Sequence, residues 1–238
     1  MNRKTAEGVS ISIVGMGGIG SHLLASLVPA LHKGGLSESC GGVTIHVFDS
    51  DTVAEGNLLH QRFMPGDVGR LKVDAIRDSL GEFLGDRVQI IPHPFDIREA
   101  SHKGRAPRSM LDGSDFLVVC VDSDEARRIV HSHGSPWLDL RCRGDGYIAI
   151  DHRVEGSAVE ALFAGGEPAS CQLDGALESG NIQFGYMASA CHGAQWVVQM
   201  LRIISGQDGA MLPIPTSASI TFGTLGRLPV RGENMGVE

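Results

Sequence analysis

Aromatic side chains are scarce, 5 % of 238 residues, with two Trp and two Tyr. A surface that stacks the bases of single strands needs several along one groove, so that use is disfavoured. Cationic charge is in deficit too. Lys and Arg total 20 against 28 Asp and Glu, a net charge of −8. Such a chain has little with which to displace phosphate counterions, so no nucleic-acid partner is expected. The cysteines are Cys40, Cys120, Cys142, Cys171 and Cys191, odd in number and with no two in C-x-x-C spacing. Neither a disulfide framework nor a Cys-rich zinc site follows, and no structural zinc is expected. Long apolar runs are absent. The run after Arg3 and Lys4 is broken by four glycines and spans no membrane, so a cytoplasmic setting without a membrane partner is expected.

What is present begins with Ile11–Ser21, ISIVGMGGIGS. β-branched residues meet Gly15, Gly17, Gly18 and Gly20, and Ile19, Leu23, Leu24, Leu27, Val28 and Leu31 then recur at helical spacing. The pattern reads as a buried strand, a phosphate-sized turn and a helix whose N-terminal amides and dipole face the turn. The helix should end near Lys33, and residues 33–42 read as a polar, glycine-rich insert. VTIHVFDSD follows as a strand ending in Asp49 and Asp51. Strand, glycine turn, helix and carboxylate-ended strand make the nucleotide-binding half of a doubly wound sheet. The insert explains why Asp49 lies further from Gly20 than the usual ~20 residues. Glycines that merely let strand and helix pack closely are the competing explanation.

A loop over residues 54–70 leads to a helix from Lys72 to Phe83. VQIIPHPF and SDFLVVCVDSD read as further parallel strands, the latter ending at Asp122 and Asp124, and residues 101–110 as an exposed mobile loop. A short helix over Glu125–His131 precedes the strand PWLDL. Its His131 and His133 read as an exposed helix end rather than a metal site. DGYIAIDHR and SAVEALF (157–163) look like antiparallel strands, residues 165–181 are irregular, and SITFGTLGRLPV (219–230) reads as one edge strand. Met187, Ala190, Cys191, Ala194, Val197, Val198, Leu201 and Ile204 form the stripe of a long helix. The expected fold is α/β: a Rossmann-like, doubly wound, mainly parallel sheet extended by antiparallel strands. The expected organisation is a single domain over 1–238, with a nucleotide-binding half at 10–144 and a second half at 145–238.

Polar residues gather at the carboxyl ends of the parallel strands, where open α/β sheets bind ligands. Asp49, Asp51 and Asp122 end strands, while Asn57, Gln61, Arg62 and Lys72 lie on the loop between. A Lys opening the next helix and a second strand-end Asp suit a nucleoside triphosphate, the Lys offsetting phosphate charge and the Asp holding Mg²⁺. An NAD(P)-binding oxidoreductase, which would leave both without a role, is the alternative.

GMGGIG (15–20), FDSDTVAEGNLLHQ (48–61), DVGRLKVDA (67–75), VVCVDSDEARR (118–128) and SC (170–171) occur in that order. Together they resemble the ubiquitin-activating enzymes and their bacterial relatives of the ThiF/MoeB type, over roughly residues 10–205. The resemblance implies an adenylyltransferase: ATP- and Mg²⁺-dependent adenylation of the C-terminal glycine of a ubiquitin-like or sulfur-carrier protein ending in Gly-Gly. It also implies a homodimer, and it makes residues 145–238 the carrier-binding half. By the same resemblance Gly15, Gly17, Gly18 and Gly20 let the backbone approach the nucleotide, and Asp49 and Asp51 take the ribose side. Asn57, His60 and Gln61 shape the phosphate loop, Lys72 contacts the phosphates, Asp122 holds Mg²⁺, and Arg127 braces its helix. A non-catalytic partner-binding protein of the same fold, or an enzyme adenylating a free peptide, are further alternatives.

Departures from the family pattern are as telling. His60 stands where the family has Arg, leaving His60 or Arg62 to supply the contact, and Ser123 replaces an Asn. No counterpart is expected for the family's N-terminal helix, whose Arg reaches the partner subunit's ATP, and Arg3 is the one nearby Arg that could stand in for it. ALFAGG (161–166) stands where zinc cysteines would begin. Cys171, in an irregular segment before the long helix, is the candidate nucleophile toward the acyl-adenylate. Cys142, between Arg141 and Arg143, is the reserve, its basic neighbours tending to lower its pKa. Cys120 and Cys191 read as core.

Overall fold

The computed structural model describes residues 8–99, 107–163 and 171–232. Arg3, Ser170 and the segments 100–106 and 164–166 lie outside them. Runs of β-branched and aromatic residues form eight strands: β1 (Val9–Val14), β2 (Val43–Phe48), β3 (Val88–His93), β4 (Phe116–Val119), β5 (Trp137–Arg143), β6 (Gly146–Asp151), β7 (Thr216–Ser219) and β8 (Gly223–Arg227). They form one sheet in the order β3-β2-β1-β4-β5-β6-β7-β8. β3 through β5 pair in parallel, and β6, β7 and β8 continue the sheet antiparallel. This is the Rossmann-like sheet with the antiparallel extension that the strand patterns predict.

The helices are α1 (Gly18–Lys33), α2 (Gly35–Ser39), α3 (Lys72–Ser79), α4 (Asp124–His131), α5 (Gly156–Ala161), α6 (Ala176–Ser179) and α7 (Gly185–Ile204). Two apolar layers cover the sheet. On one face Leu23, Leu27 and Leu31 of α1, Val73 and Ile76 of α3, and Trp196 and Leu201 of α7 meet Ile11, Ile13, Ile45 and Val118. On the other, Ala126 and Val130 of α4 and Val159 of α5 meet Phe48, Leu117 and Val119. Neighbouring residues of β4 thus serve opposite layers, which is why that strand is apolar throughout.

Several local expectations are overturned, among them the irregular reading of 165–181, where α6 forms, and the mobile loop at 101–110, whose Pro107–Met110 form a 3-10 turn. Residues 157–163 form no strand: α5 occupies Gly156–Ala161. The Asp151 carboxylate accepts the backbone N–H of Arg153 and turns the chain off the sheet, and β7 takes the place beside β6. An Ala- and Glu-rich stretch then follows its helical propensity. The last edge strand is a hairpin of β7 and β8. The Ser219 hydroxyl accepts the N–H groups of Thr221 and Phe222 and donates to Asp145 at 2.8 Å, which reverses the chain. The 33–42 insert contains α2, pinned where the Ser37 hydroxyl donates to Leu31 O at 2.9 Å. The helix begun at Lys72 ends at Ser79, with Gly81–Phe83 a separate 3-10 turn.

The stripe of α7 is rotated from the expected one. Tyr186, Ser189, Ala190, Gly193, Trp196, Val197, Met200 and Leu201 are buried, while Cys191 is exposed. Small residues face inward because the helix lies close: a β-carbon at Gly193 would collide with Leu140 and press on Leu23. Cys191 is therefore not core, whereas Cys120 is buried as expected.

Candidate functional site

A cavity of about 290 Å³ opens at the carboxyl ends of β1, β2, β3 and β4. Its floor is the β1–α1 turn. Gly15 adopts φ +97°, and a β-carbon there would strike the Cys120 backbone and Val121. A β-carbon on Gly20 would overlap Gly15 O, so both glycines are demanded by packing. Gly17 is different: its missing β-carbon faces open space, and the residue lines the cavity beside Gly18. Gly17 caps α1 without a side-chain hydrogen bond, leaving first-turn amides free for an anion.

The β2 wall carries Asp49, Ser50 and Asp51. Asp49 accepts the N–H of Met16 at 2.6 Å and of Asp51 at 2.8 Å, tying the wall to the glycine turn. Burial pushes its carboxyl up, opposed by Lys72 and these two N–H groups. Lys72 reaches the cavity because the chain doubles back. Its N–H donates to Asp51 O at 2.9 Å, and Gly69 and Val53 are joined by a backbone bond. Its buried ammonium lies 2.8 Å from the Asp51 carboxylate, which is mostly exposed.

His60 and Gln61 close the near side. Burial, with Lys72 nearby, lowers the His60 pKa and keeps the ring neutral. His60 Nδ1 and Gln61 Oε1 are buried without a hydrogen-bond partner, a costly state that a polar ligand would relieve. Asn57 does not line the cavity. Its side chain accepts the N–H of Ala54 at 2.9 Å and shapes the loop. Arg62 is also outside the lining and exposed, with its backbone N–H on Ser21 Oγ at 3.0 Å.

Asp122 and Ser123 form the opposite lip. Ser123, not Asp122, caps α4, accepting the N–H of Ala126 at 3.3 Å. Arg127 is buried rather than on a solvated face. It donates to Val121 O and pairs with Asp139 of β5, so the turn bearing Asp122 is fixed to the sheet. His131 and His133 are not an exposed end: their side chains are 10 % and 11 % exposed, His131 stacks on Trp137 at 3.9 Å, and His133 meets Asp112 at 3.3 Å. No metal-sized group of three His, Cys, Asp or Glu occurs among the described residues.

Cys171 lines the cavity, its carbonyl accepting the Gly144 N–H at 2.9 Å. The Cys142 thiol lies within hydrogen-bonding reach and, with Arg127, lowers the Cys171 pKa. The same contact and burial raise Cys142, reversing the expected influence of its basic neighbours. Arg141, one of those neighbours, is drawn away to Asp139 at 2.8 Å and to Leu162 O.

Phe95, Asp96, Ile97 and Arg98, just past β3, also line the cavity and escaped the sequence reading. The available signal was position: the segment follows a parallel strand's carboxyl end.

These features define an open α/β protein with its cavity at the carboxyl edge of the parallel strands, the usual ligand site of such sheets. The chain belongs to the ThiF family, whose model matches residues 2–221. Ubiquitin-like modifier-activating enzyme 5 of Caenorhabditis elegans is 29 % identical over 169 residues, 67 % of this chain and 35 % of that protein. The Dictyostelium discoideum protein of that name is 29 % identical over 149 residues, 58 % of this chain and 36 % of its own length. The chain thus spans about a third of the curated relatives it matches. Among solved structures, Escherichia coli MccB with ATP superposes with a TM-score of 0.61 at 17 % identity, covering 95 % of this chain and 66 % of that one. PaaA gives 0.59 at 18 %, with the same coverage. These two likenesses are of fold.

Proposed function

We propose that this chain is an ATP- and Mg²⁺-dependent adenylyltransferase acting on the C-terminal carboxylate of a small ubiquitin-like protein or peptide. The reading is carried by one observation: Gly17, Asp49, Lys72 and Asp122, from four separate segments, share one cavity. The relatives named for activating a ubiquitin-like modifier, and the MccB structure solved with MccA, favour a peptide-tailed acceptor. A homodimer working in the cytoplasm is part of the proposal.

In this reading the α1 N-terminus and the amides around Gly17 and Gly18 receive the phosphates. Asp49 takes the ribose hydroxyls. Lys72 passes from Asp51 to the phosphates and offsets charge on the leaving group. His60, rather than Arg62, makes the loop's phosphate contact. The acceptor's carboxylate oxygen attacks the α-phosphorus. A P–O bond forms, the α–β bridging P–O bond breaks, and pyrophosphate leaves with the electron pair.

Mg²⁺ takes one or two carboxylates and completes its shell with phosphate oxygens and water, so Asp122 on its lip is a sufficient protein donor. Bound there, the ion would neutralise phosphate charge. Cys171 then attacks the acyl carbonyl as thiolate, forming a thioester and releasing AMP.

The test is exchange of labelled pyrophosphate into ATP in the presence of a Gly-Gly-ended carrier or peptide. Wild type should exchange, and Asp122→Ala should lower the rate by roughly 10²–10³, the scale of losing one electrostatic contact at a reacting centre. Cys171→Ala should retain exchange and lose an acceptor adduct that added thiol cleaves by thioester exchange. Exchange indifferent to Asp122→Ala would overturn the proposal.

A further inference from the structure

Two cysteines meet beside the cavity, and the mechanism above uses only one of them. Cys142 lies near the end of β5, two residues before Gly144. Gly144 adopts φ +61° in the β5–β6 turn, and its N–H donates to Cys171 O at 2.9 Å. A β-carbon there would overlap the Gln183 side chain and press on Leu173, so this glycine lets the Cys171 segment lie against the turn. The buried Gln172 fastens the segment a second time. Its Nε2 donates to Gln183 O at 2.7 Å, and its Oε1 accepts the Gln183 N–H at 3.0 Å. The two thiols are thereby set within hydrogen-bonding reach, the Cys142 Sγ donating to Cys171. Tyr186, at the start of α7, lies within electrostatic range of both.

We propose that Cys142 and Cys171 are a modification site, a dithiol that peroxide converts into an intramolecular disulfide and a thiol reductant reopens. Cys171 is the sulfur that meets the oxidant, because it lines the open cavity while Cys142 does not. The hydrogen bond from Cys142, with Arg127 nearby, favours the Cys171 thiolate, which is the reactive form. That sulfur attacks one peroxide oxygen, the O–O bond breaks and hydroxide leaves, giving a sulfenic acid. The Cys142 sulfur then attacks the Cys171 sulfur. An S–S bond forms, the S–O bond breaks, and the Cys142 proton leaves with the oxygen as water. In sum the two thiols give up two electrons and two protons, and hydrogen peroxide becomes two waters. Cys120, buried just past β4, interacts with Cys171 only through charge, so Cys142 is the resolving partner. The disulfide itself needs no nucleotide. Its consequence, withdrawal of Cys171 from thioester formation, rests on the reading above.

The test is peptide mapping of the full chain after hydrogen peroxide, with free thiols blocked by alkylation and no reductant present. The Cys142 and Cys171 peptides should be recovered joined, and dithiothreitol added before blocking should separate them. Cys142→Ser should lose the cross-link and, in excess peroxide, leave Cys171 as sulfinic acid, the fate of a sulfenic acid without a resolving thiol. Cys191→Ser, a change outside the pair, should cross-link as wild type does. In the oxidised protein the acceptor adduct should be lost, and it should return once the disulfide is reduced and the reductant removed. Recovery of unlinked Cys171, a link from Cys171 to Cys120, or a link only between two chains would overturn the inference. A Cys142–Cys171 link in a protein that forms no adduct even when reduced would support the dithiol site and sink the thioester reading instead.

Discussion

At the scale of single residues, three glycines of the turn, Gly15, Gly17 and Gly20, divide into two kinds. Gly15 and Gly20 are held by contacts inside the protein, because a β-carbon on either would meet backbone. Gly17 meets nothing within 4 Å and adopts a φ of −77°, open to any residue. A methyl group at Gly17 should therefore cost the fold within about 0.5 kcal/mol, as for substitutions free of new contacts. It would enter the cavity and weaken ATP binding roughly tenfold. A methyl at Gly20 should destabilise by about 3 kcal/mol or more through overpacking. Urea unfolding of Gly17→Ala and Gly20→Ala, with ATP titration of the former, checks the contrast. Equal destabilisation would mean that Gly17, like Gly20, serves packing. Lys72 shows the same separation of duties. Its backbone stitches α3 to the end of β2, while its ammonium, paired with an exposed Asp51, is free to change partners.

At the scale of elements, α4 and β5 are joined through a carboxylate that water does not reach. Asp139 is fully buried, paired with Arg127 and with Arg141 at 2.8 Å. His131 packs beside this cluster, and burial with Arg141, Arg127 and Arg128 pushes its pKa down to about 3. Asp139 lies 3.1 Å from His131 Nε2, yet no aligned hydrogen bond forms and both ring nitrogens lack a partner. The two guanidiniums already claim that carboxylate. His131 is thus neutral in the fold and protonates near 6.5 when unfolded. Below that pH the unfolded chain binds the extra proton, so stability is full above 6.5 and falls as pH drops toward 3. The slope from this residue is about 1.4 kcal/mol per pH unit. Denaturant midpoints between pH 7 and 4.5 should fall in wild type and fall less in His131→Phe, which keeps the stack on Trp137 without titrating. Identical slopes would show that His131 charges within the fold.

The same cluster shows where the sequence was silent. The parallel half was legible because its strands are short runs rich in β-branched residues, two of which are followed by carboxylates, at Asp49 and Asp122. The partner of Arg127 was not, because Asp139 sits mid-strand and only the sheet brings them together. The α7 stripe was read by hydropathy, but close packing on Leu140 and Leu23 selects Ser189 and Gly193 for the inner face and turns Cys191 outward. SAVEALF is a short apolar-rich run that fits a strand or a helix. What decides its state is the turn at Asp151 and Arg153, a tertiary feature absent from local pattern.

At the scale of the molecule, the order β3-β2-β1-β4-β5 sets β1 at the centre. The glycine turn following it is thereby flanked by the ends of β2 and β4. Asp49 and Asp122 line one cavity beside that turn although they are 73 positions apart, which is how residues scattered in sequence share one site. In the nucleotide reading, Lys72 and Asp122 serve the phosphates. A ligand that binds only the folded chain stabilises it by about 2.7 kcal/mol at a hundred times its Kd. For a chain of this size that corresponds to a melting-temperature rise of roughly 5–10 °C. ATP with Mg²⁺ should produce such a shift, and NAD⁺ at the same concentration should not. Lys72→Ala should reduce the shift by removing the phosphate cation while leaving the unliganded sheet intact. A shift from NAD⁺ that matches or exceeds that from ATP would instead mark the turn as a dinucleotide site, with Lys72 and Asp122 confined to structural roles.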